Sequence, residues 1–185
     1  MNESTESQAW SWGHEWNEVH TRILRLSLGI SESRAYFAHV DPDVVGHERL
    51  EAANHEHWFG DKSPARVRFL LSAMQERFDA FPTALGVLRS AKLDDTTLRL
   101  VCHWHVQLAD PLYRRFTGEL LVKRRTMKSA SIDNATAEQW VESKYGGRWG
   151  DATRTQFASK LLASASEAGL LEGKLTRKIV TPTVP

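Results

Sequence analysis

GRWGDATRTQFASKLLASASEAGLL, Gly147–Leu171, opens on a glycine turn, continues as a helix and closes on Gly-Leu-Leu. Asp151 is the expected N-cap and Gly169 the expected stop. At 100° per residue, with Phe157 as zero, Ala168, Leu161, Ala165, Ala158 and Leu162 fall between about 20° and 140°, an apolar face wide enough to dock on a core. The opposite arc carries Ala152, Thr155, Gln156, Ser159, Lys160 and Ala163, small or polar side chains with one cation. Upstream, Asp133-Asn134 caps a helix through ATAEQWVESKYG that ends at Gly146-Gly147; downstream, LTRKIVTPTV, Leu175 to Val184, has the β-branched alternation of a strand. Helix, short glycine turn, helix, strand is the order of a helix-turn-helix with a wing strand. The same helix also suits an ordinary amphipathic member of a bundle.

On the first reading, the helix from Asp151 enters a DNA groove. Thr155, Gln156 and Ser159 then face the groove, within reach of phosphates or base edges, and Arg148, Lys160, Lys174, Arg177 and Lys178 meet phosphates. Arg154 either contacts DNA or serves the fold. Its angle turns it to the apolar side, where it braces the neighbouring helix through Glu138 or Glu142, or it snorkels around the helix start.

The rest of the chain is expected to be helical. Val19, Ile23 and Leu26 have helical spacing and predict a first helix from Trp16 that Gly29 stops. Ser31 caps a second, short helix that ends at Asp41-Pro42-Asp43, and a third runs from Val44 to about His57, before a turn at Gly60-Asp61. Ser63 as N-cap and Pro64 at N1 give the clearest start, followed by a stripe of Val67, Leu70, Leu71, Met74 and Phe78. Further helices start near Pro82, at Asp94 or Asp95, and at Asp110-Pro111; in the last, Tyr113, Phe116 and Leu120 form the buried side and Lys123-Arg124-Arg125 complement the C-terminal dipole. The expected organisation is a disordered stretch over 1–9, a helical body over 10–128 and a winged-helix-like part over 129–185.

Composition bounds the function. The chain has 185 residues, of which 41% are hydrophobic and 25% charged, enough for a packed core. Residues 1–110 hold 11 Lys and Arg against 16 Asp and Glu, whereas 111–185 hold 13 against 7, so an acidic front precedes a basic back. That asymmetry points to nucleic acid or an acidic surface. The single Cys102 excludes an internal disulfide and Cys-based zinc motifs, in keeping with a cytoplasmic protein. No basic and apolar leader opens the sequence, and no run approaches the roughly 20 apolar residues of a membrane span, so no membrane partner is expected.

No catalytic residue, metal site or cofactor is expected. His55 and His57, like His103 and His105, sit at i and i+2, which puts them on different sides of a helix, whereas helical zinc pairs need i, i+3 or i, i+4. His14, His20 and His47-Glu48 are no better spaced, and the HExxH, GxSxG, P-loop and Rossmann patterns are absent. Carboxylates at nuclease-like spacing are missing too. The seven Trp include Trp10, Trp12 and Trp16 near the start, read as packing under an N-terminal segment rather than a base-stacking platform.

Three blocks, NHEHWFGDKSPARVRFLLSAMQERF, HWHVQLADPLYRRFTGELLVKRR and GRWGDATRTQFASKLLASASEAGLL, together resemble the BrxA family of the bacteriophage exclusion (BREX) defence systems. They span roughly Asn54 to Leu171, and none is a sharp catalytic motif. The resemblance implies a small, mostly helical, non-enzymatic protein with a fold likened to the transcription factor NusB, double-stranded DNA as partner, and neighbours that include a methyltransferase, an ATPase and an alkaline-phosphatase-like protein. By residue it covers the Asp151-Ala-Thr-Arg154-Thr155 opening, Lys160 and Leu161-Leu162, and it supplies no catalytic residues. The expectation is therefore a DNA-binding accessory of a defence complex that also contacts other BREX subunits, with a protein-interaction scaffold making no DNA contact as the alternative. The sequence sets no oligomeric state.

Overall fold

Side-chain caps start three helices of the N-terminal body. In the computed structural model, which describes residues 15–181, Ser63 Oγ accepts from the Arg66 amide at 3.4 Å, Asp94 from Thr97 at 2.9 Å and Asp110 from Tyr113 at 2.9 Å. Each satisfies a backbone N–H that the first helical turn leaves without a partner. They open α3 (Pro64–Phe78), α5 (Asp95–Ala109) and α6 (Pro111–Arg115); Pro82 opens α4 (Pro82–Ser90) at N1. Two expectations shift here. α1 (Ile30–His39) is capped by Gly29 and not by Ser31: Gly29 has φ +67°, and a Cβ on it would meet Arg77 Nη1 at 3.1 Å. α2 (Gly46–His55) stops two residues short of His57, whose φ of 51° ends the helix. Residues 1–9, Trp10, Trp12 and the strand end at 182–184 lie outside the described residues.

The helix begun by Pro111 runs on through a π-helical stretch, Phe116–Leu121, into α7 (Val122–Arg125). Thr117 gives the widening a cause. Its hydroxyl bonds back to the carbonyls of Tyr113 and Arg114 and also receives a bond from Gln107, so it competes with the amides for those carbonyls. After α7 come β1 (Ser131–Ile132), α8 (Asn134–Tyr145), α9 (Asp151–Glu167), β2 (Leu171–Glu172) and β3 (Arg177–Ile179). The strands form one antiparallel sheet in the order β1-β3-β2, with Ser131 opposite Lys178, Ile132 opposite Arg177, and Leu171 opposite Ile179. Within the described part of the expected strand, 175–181, Arg177–Ile179 is extended and pairs with two short strands that the sequence did not announce.

The expected helix over residues 16–29 is also corrected. Only Arg22–Leu24 forms a turn, of the 3-10 type, and the rest is an irregular segment pinned by side chains. Arg77 donates to the carbonyls of Leu26, Ser27 and Leu28 at 3.1, 2.8 and 2.7 Å. Arg114 donates to Trp16, Arg148 to Val19, and Glu167 accepts from Ser27 Oγ and the Leu28 amide. Val19, Ile23, Leu26 and Leu28 are nevertheless buried, and the apolar core runs unbroken from Val19 to Ile179.

A second polar knot holds α1 to α2 and α3: fully buried Arg49 donates to Tyr36 Oη, to Asp79 and to the Val44 carbonyl. In the α5 interior, His103 Nδ1 lies 2.9 Å from Tyr113 Oη, and His105 donates to the Arg77 carbonyl. Burial pushes the His103 pKa down to about 4 and moves His105 in the same direction. Because the unfolded imidazole takes up its proton near pH 6.5, the unfolded state binds more protons between pH 6.5 and 4, and stability falls as pH falls through that window. Denaturant titrations across this range are expected to show that His103→Gln loses less stability on acidification than wild type, by about 3 kcal/mol at full effect. Equal losses would mean that His103 is not the proton acceptor.

Candidate nucleic-acid interface

α8 and α9 pack as a pair across the turn 146–150, and α9 starts where the sequence places it, but its N-cap is Gly150 and Asp151 occupies the first helical position. The apolar face is as expected: Phe157, Ala158, Leu161, Leu162, Ala165 and Ala168 are all buried. Trp149 covers its start, 4.4 Å from the Phe157 ring. Of the opposite arc, Thr155, Gln156 and Ser159 are exposed and Lys160 half-buried. The hydroxyls on that arc are engaged locally, Thr155 donating to Glu138 at 2.8 Å and Ser159 to Asn134 at 3.3 Å.

Arg154 braces the helix start. It donates to the Trp149 carbonyl at 2.7 Å, pairs with Asp151 and reaches Glu142 on α8 at 3.6 Å, with its side chain 14% exposed. Arg148 is tied down as well: it donates to the Val19 carbonyl at 2.7 Å and stacks on Trp149. The mouth of the α8–α9 pair therefore holds Glu138, Glu142 and Asp151 beside two committed arginines.

Cations without such duties lie on the hairpin and beyond it. Gly173 turns the β2–β3 loop with φ +103°, where a Cβ would sit 3.1 Å from the Thr176 carbonyl, so only glycine fits. Lys174 is on that loop and Lys178 on the exposed side of β3, with Arg177 half-buried beside it. The sheet also brings in residues that the sequence reading had spent on a helix dipole. Arg124 donates through Nε to the Ser131 carbonyl at 2.6 Å, which sets α7 along the β1 edge with Lys123, Arg125 and Lys128 exposed around it. Their missed signal was a basic run followed within a few residues by a strand.

The histidines do not gather. His55 and His57 are exposed and His103 and His105 buried with protein partners; among the described residues no group of three or more His, Cys, Asp or Glu is placed to hold a metal ion. Nor is any described helix long and apolar enough to cross a membrane. A family model, BrxA, matches residues 10–185, nearly the whole chain. The chain belongs to the BrxA family. Membership points to a part in BREX phage defence, and BrxA is not a known enzyme family. No match was found among curated proteins or solved structures.

The bracing of α9 carries a direct expectation for this BrxA member. Arg154→Ala removes one charge-assisted bond to a carbonyl and two partly exposed ion pairs, a loss of about 1 kcal/mol. Differential scanning calorimetry is expected to show a melting temperature lower by about 3 °C. An unchanged melting temperature would show that the contacts are idle.

Proposed function

We propose that this BrxA protein binds duplex DNA without performing chemistry on it, as a cytoplasmic accessory of a BREX defence system. One observation supports the reading most: a helix, a strand, two helices joined by a short turn, then a hairpin whose second strand lies between the other two in the sheet. This is the connectivity of a winged helix-turn-helix, in which a helix lies in the major groove and the hairpin flanks it. On this reading the winged-helix-like part is 129–185, entered from the helix that ends at Arg125, and the likeness of the helical body, 10–128, to NusB belongs to the same reading. α9 offers Thr155, Gln156 and Ser159 to the groove. Lys160, Lys174, Arg177, Lys178 and the unused N–H groups of Arg148 meet phosphates.

A scaffold reading has one observation in its favour. Glu138, Glu142 and Asp151 surround the start of α9, and carboxylates there oppose phosphate approach. In that case the basic end meets an acidic partner subunit of the defence complex.

Fluorescence anisotropy with a labelled duplex at several salt concentrations separates the two. Replacing Lys160, Arg177 and Lys178 together by Ala is expected to weaken binding to every duplex alike and to flatten the slope of log K against log salt by about 0.9 per lost contact. Unchanged affinity and slope, with loss of capture of a partner subunit, would overturn the DNA reading in favour of the scaffold.

A further inference from the structure

Among the described residues, the surface around α7 and the sheet gathers seven cations. Lys123, Arg124, Arg125 and Lys128 come from α7 and the turn after it, and Lys174, Arg177 and Lys178 from the hairpin. Only Arg124 is held, by the Ser131 carbonyl. None of the other six has an ion-pair partner among the described residues. β1 separates the two groups by one strand, about 5 Å in the pairing direction. The nearby carboxylates are few. Glu172 stands opposite Lys178, Glu119 is paired with Lys144, and Asp133 is spent on the α8 N-cap, where Thr136 holds its carboxyl below the usual range.

The start of α9 has the opposite character. Its N-terminal dipole is already complemented by Asp151 at the first position, and Glu138 and Glu142 stand beside it. Phosphates flank any groove that a helix end enters, so three carboxylates at that end oppose deep insertion, while the cations that gain most from phosphate lie at the other edge of the unit.

Resting on the duplex-binding reading above, we infer that Lys123, Arg125 and Lys128 are phosphate-contacting residues, and that the duplex is held by its backbone along α7 and the sheet, with Thr155, Gln156 and Ser159 facing the groove but reading no base. The partner is a duplex and not a single strand by its chemistry. Single-strand surfaces stack bases on aromatic side chains, and residues 122–132 and 171–181 contain no Phe, Tyr or Trp. Exposed Val122, Met127 and Leu175 among the cations are compatible with sugar contacts, and they also define the competing occupant, an acidic protein surface with an apolar centre.

The test uses the full chain and two labelled duplexes of unrelated sequence. Wild type is expected to bind both alike with a slope of log K against log salt near about −6, and Lys123→Ala/Arg125→Ala/Lys128→Ala to bring it to about −3 with weaker binding to both. All three side chains are exposed, so circular dichroism and melting temperature should match wild type. Gln156→Ala and Ser159→Ala are expected to leave the ratio of the two affinities unchanged. A triple variant that binds as wild type, while hairpin variants do not, would overturn the α7 assignment and leave the duplex reading standing. A changed ratio in Gln156→Ala would overturn the absence of base readout. If wild type binds neither duplex, the underlying reading fails and the inference falls with it; capture of an acidic partner lost in Val122→Ser/Leu175→Ser would then identify the competing occupant.

Discussion

The guanidinium of Arg77 closes three successive carbonyls, and the architecture depends on that closure. Residues 15–28 have no ladder and only one 3-10 turn, so their backbone groups must find partners elsewhere or stay buried and unpaired. Arg77 from α3 meets Leu26, Ser27 and Leu28; Arg114 from α6, Arg148 from the α8–α9 turn and Glu167 at the end of α9 meet the rest. Burial pushes the Arg77 pKa down, which registers the cost of placing that charge in the interior. The carbonyls offset it. Because the donors come from both the body and the C-terminal pair, this segment stitches α3, α6 and α9 together, and the core is continuous across the point where the topology changes from bundle to sheet.

The helices with local chemistry at their ends were legible in the sequence. Ser63-Pro64, Asp94 and Asp110-Pro111 each start a helix because a side chain within three residues satisfies an amide, and no distant partner is needed. The α9 face was legible for the same reason: its period of 3.6 is local. The segment 16–29 was misread because Val19, Ile23 and Leu26 are buried just as a helix face would bury them, and the decisive bonds come from residues about 50 to 140 positions away. β1 and β2 are two residues each, too short for any alternation to register. The π-helical widening rests on Thr117, whose hydroxyl bonds back to its own helix and is engaged by Gln107 from another.

For the candidate interface, sequence found the residues of the hairpin and α9 but assigned them by helix angle and charge alone. Angle placed Arg154 toward the apolar side, and the structure gives that position its partners, Trp149, Asp151 and Glu142. It could not reveal that Thr155 and Ser159 already have partners, since those lie on another helix. Nor could it connect Lys123 and Arg125 to the hairpin, because a C-terminal dipole explains basic residues at a helix end without further help. The sheet supplies the missing link.

A net charge of +1 conceals a division of labour among the basic residues. Arg49, Arg77, Arg114, Arg148 and Arg154 are arginines, and each directs its planar fork at carbonyls or carboxylates that the fold must satisfy. Lys123, Lys128, Lys174 and Lys178 are lysines, point charges on flexible stems, with no ion pair among the described residues. A lysine that braces nothing adds little to stability, and like charges crowded on one unit repel one another. Such a cluster is unfavourable in isolation and becomes favourable when a polyanion releases its counterions to it. Those five arginines thus explain how the chain folds, and the lysines on α7 and the sheet, with Arg125 and Arg177, are the cations that the proposed duplex contact would use.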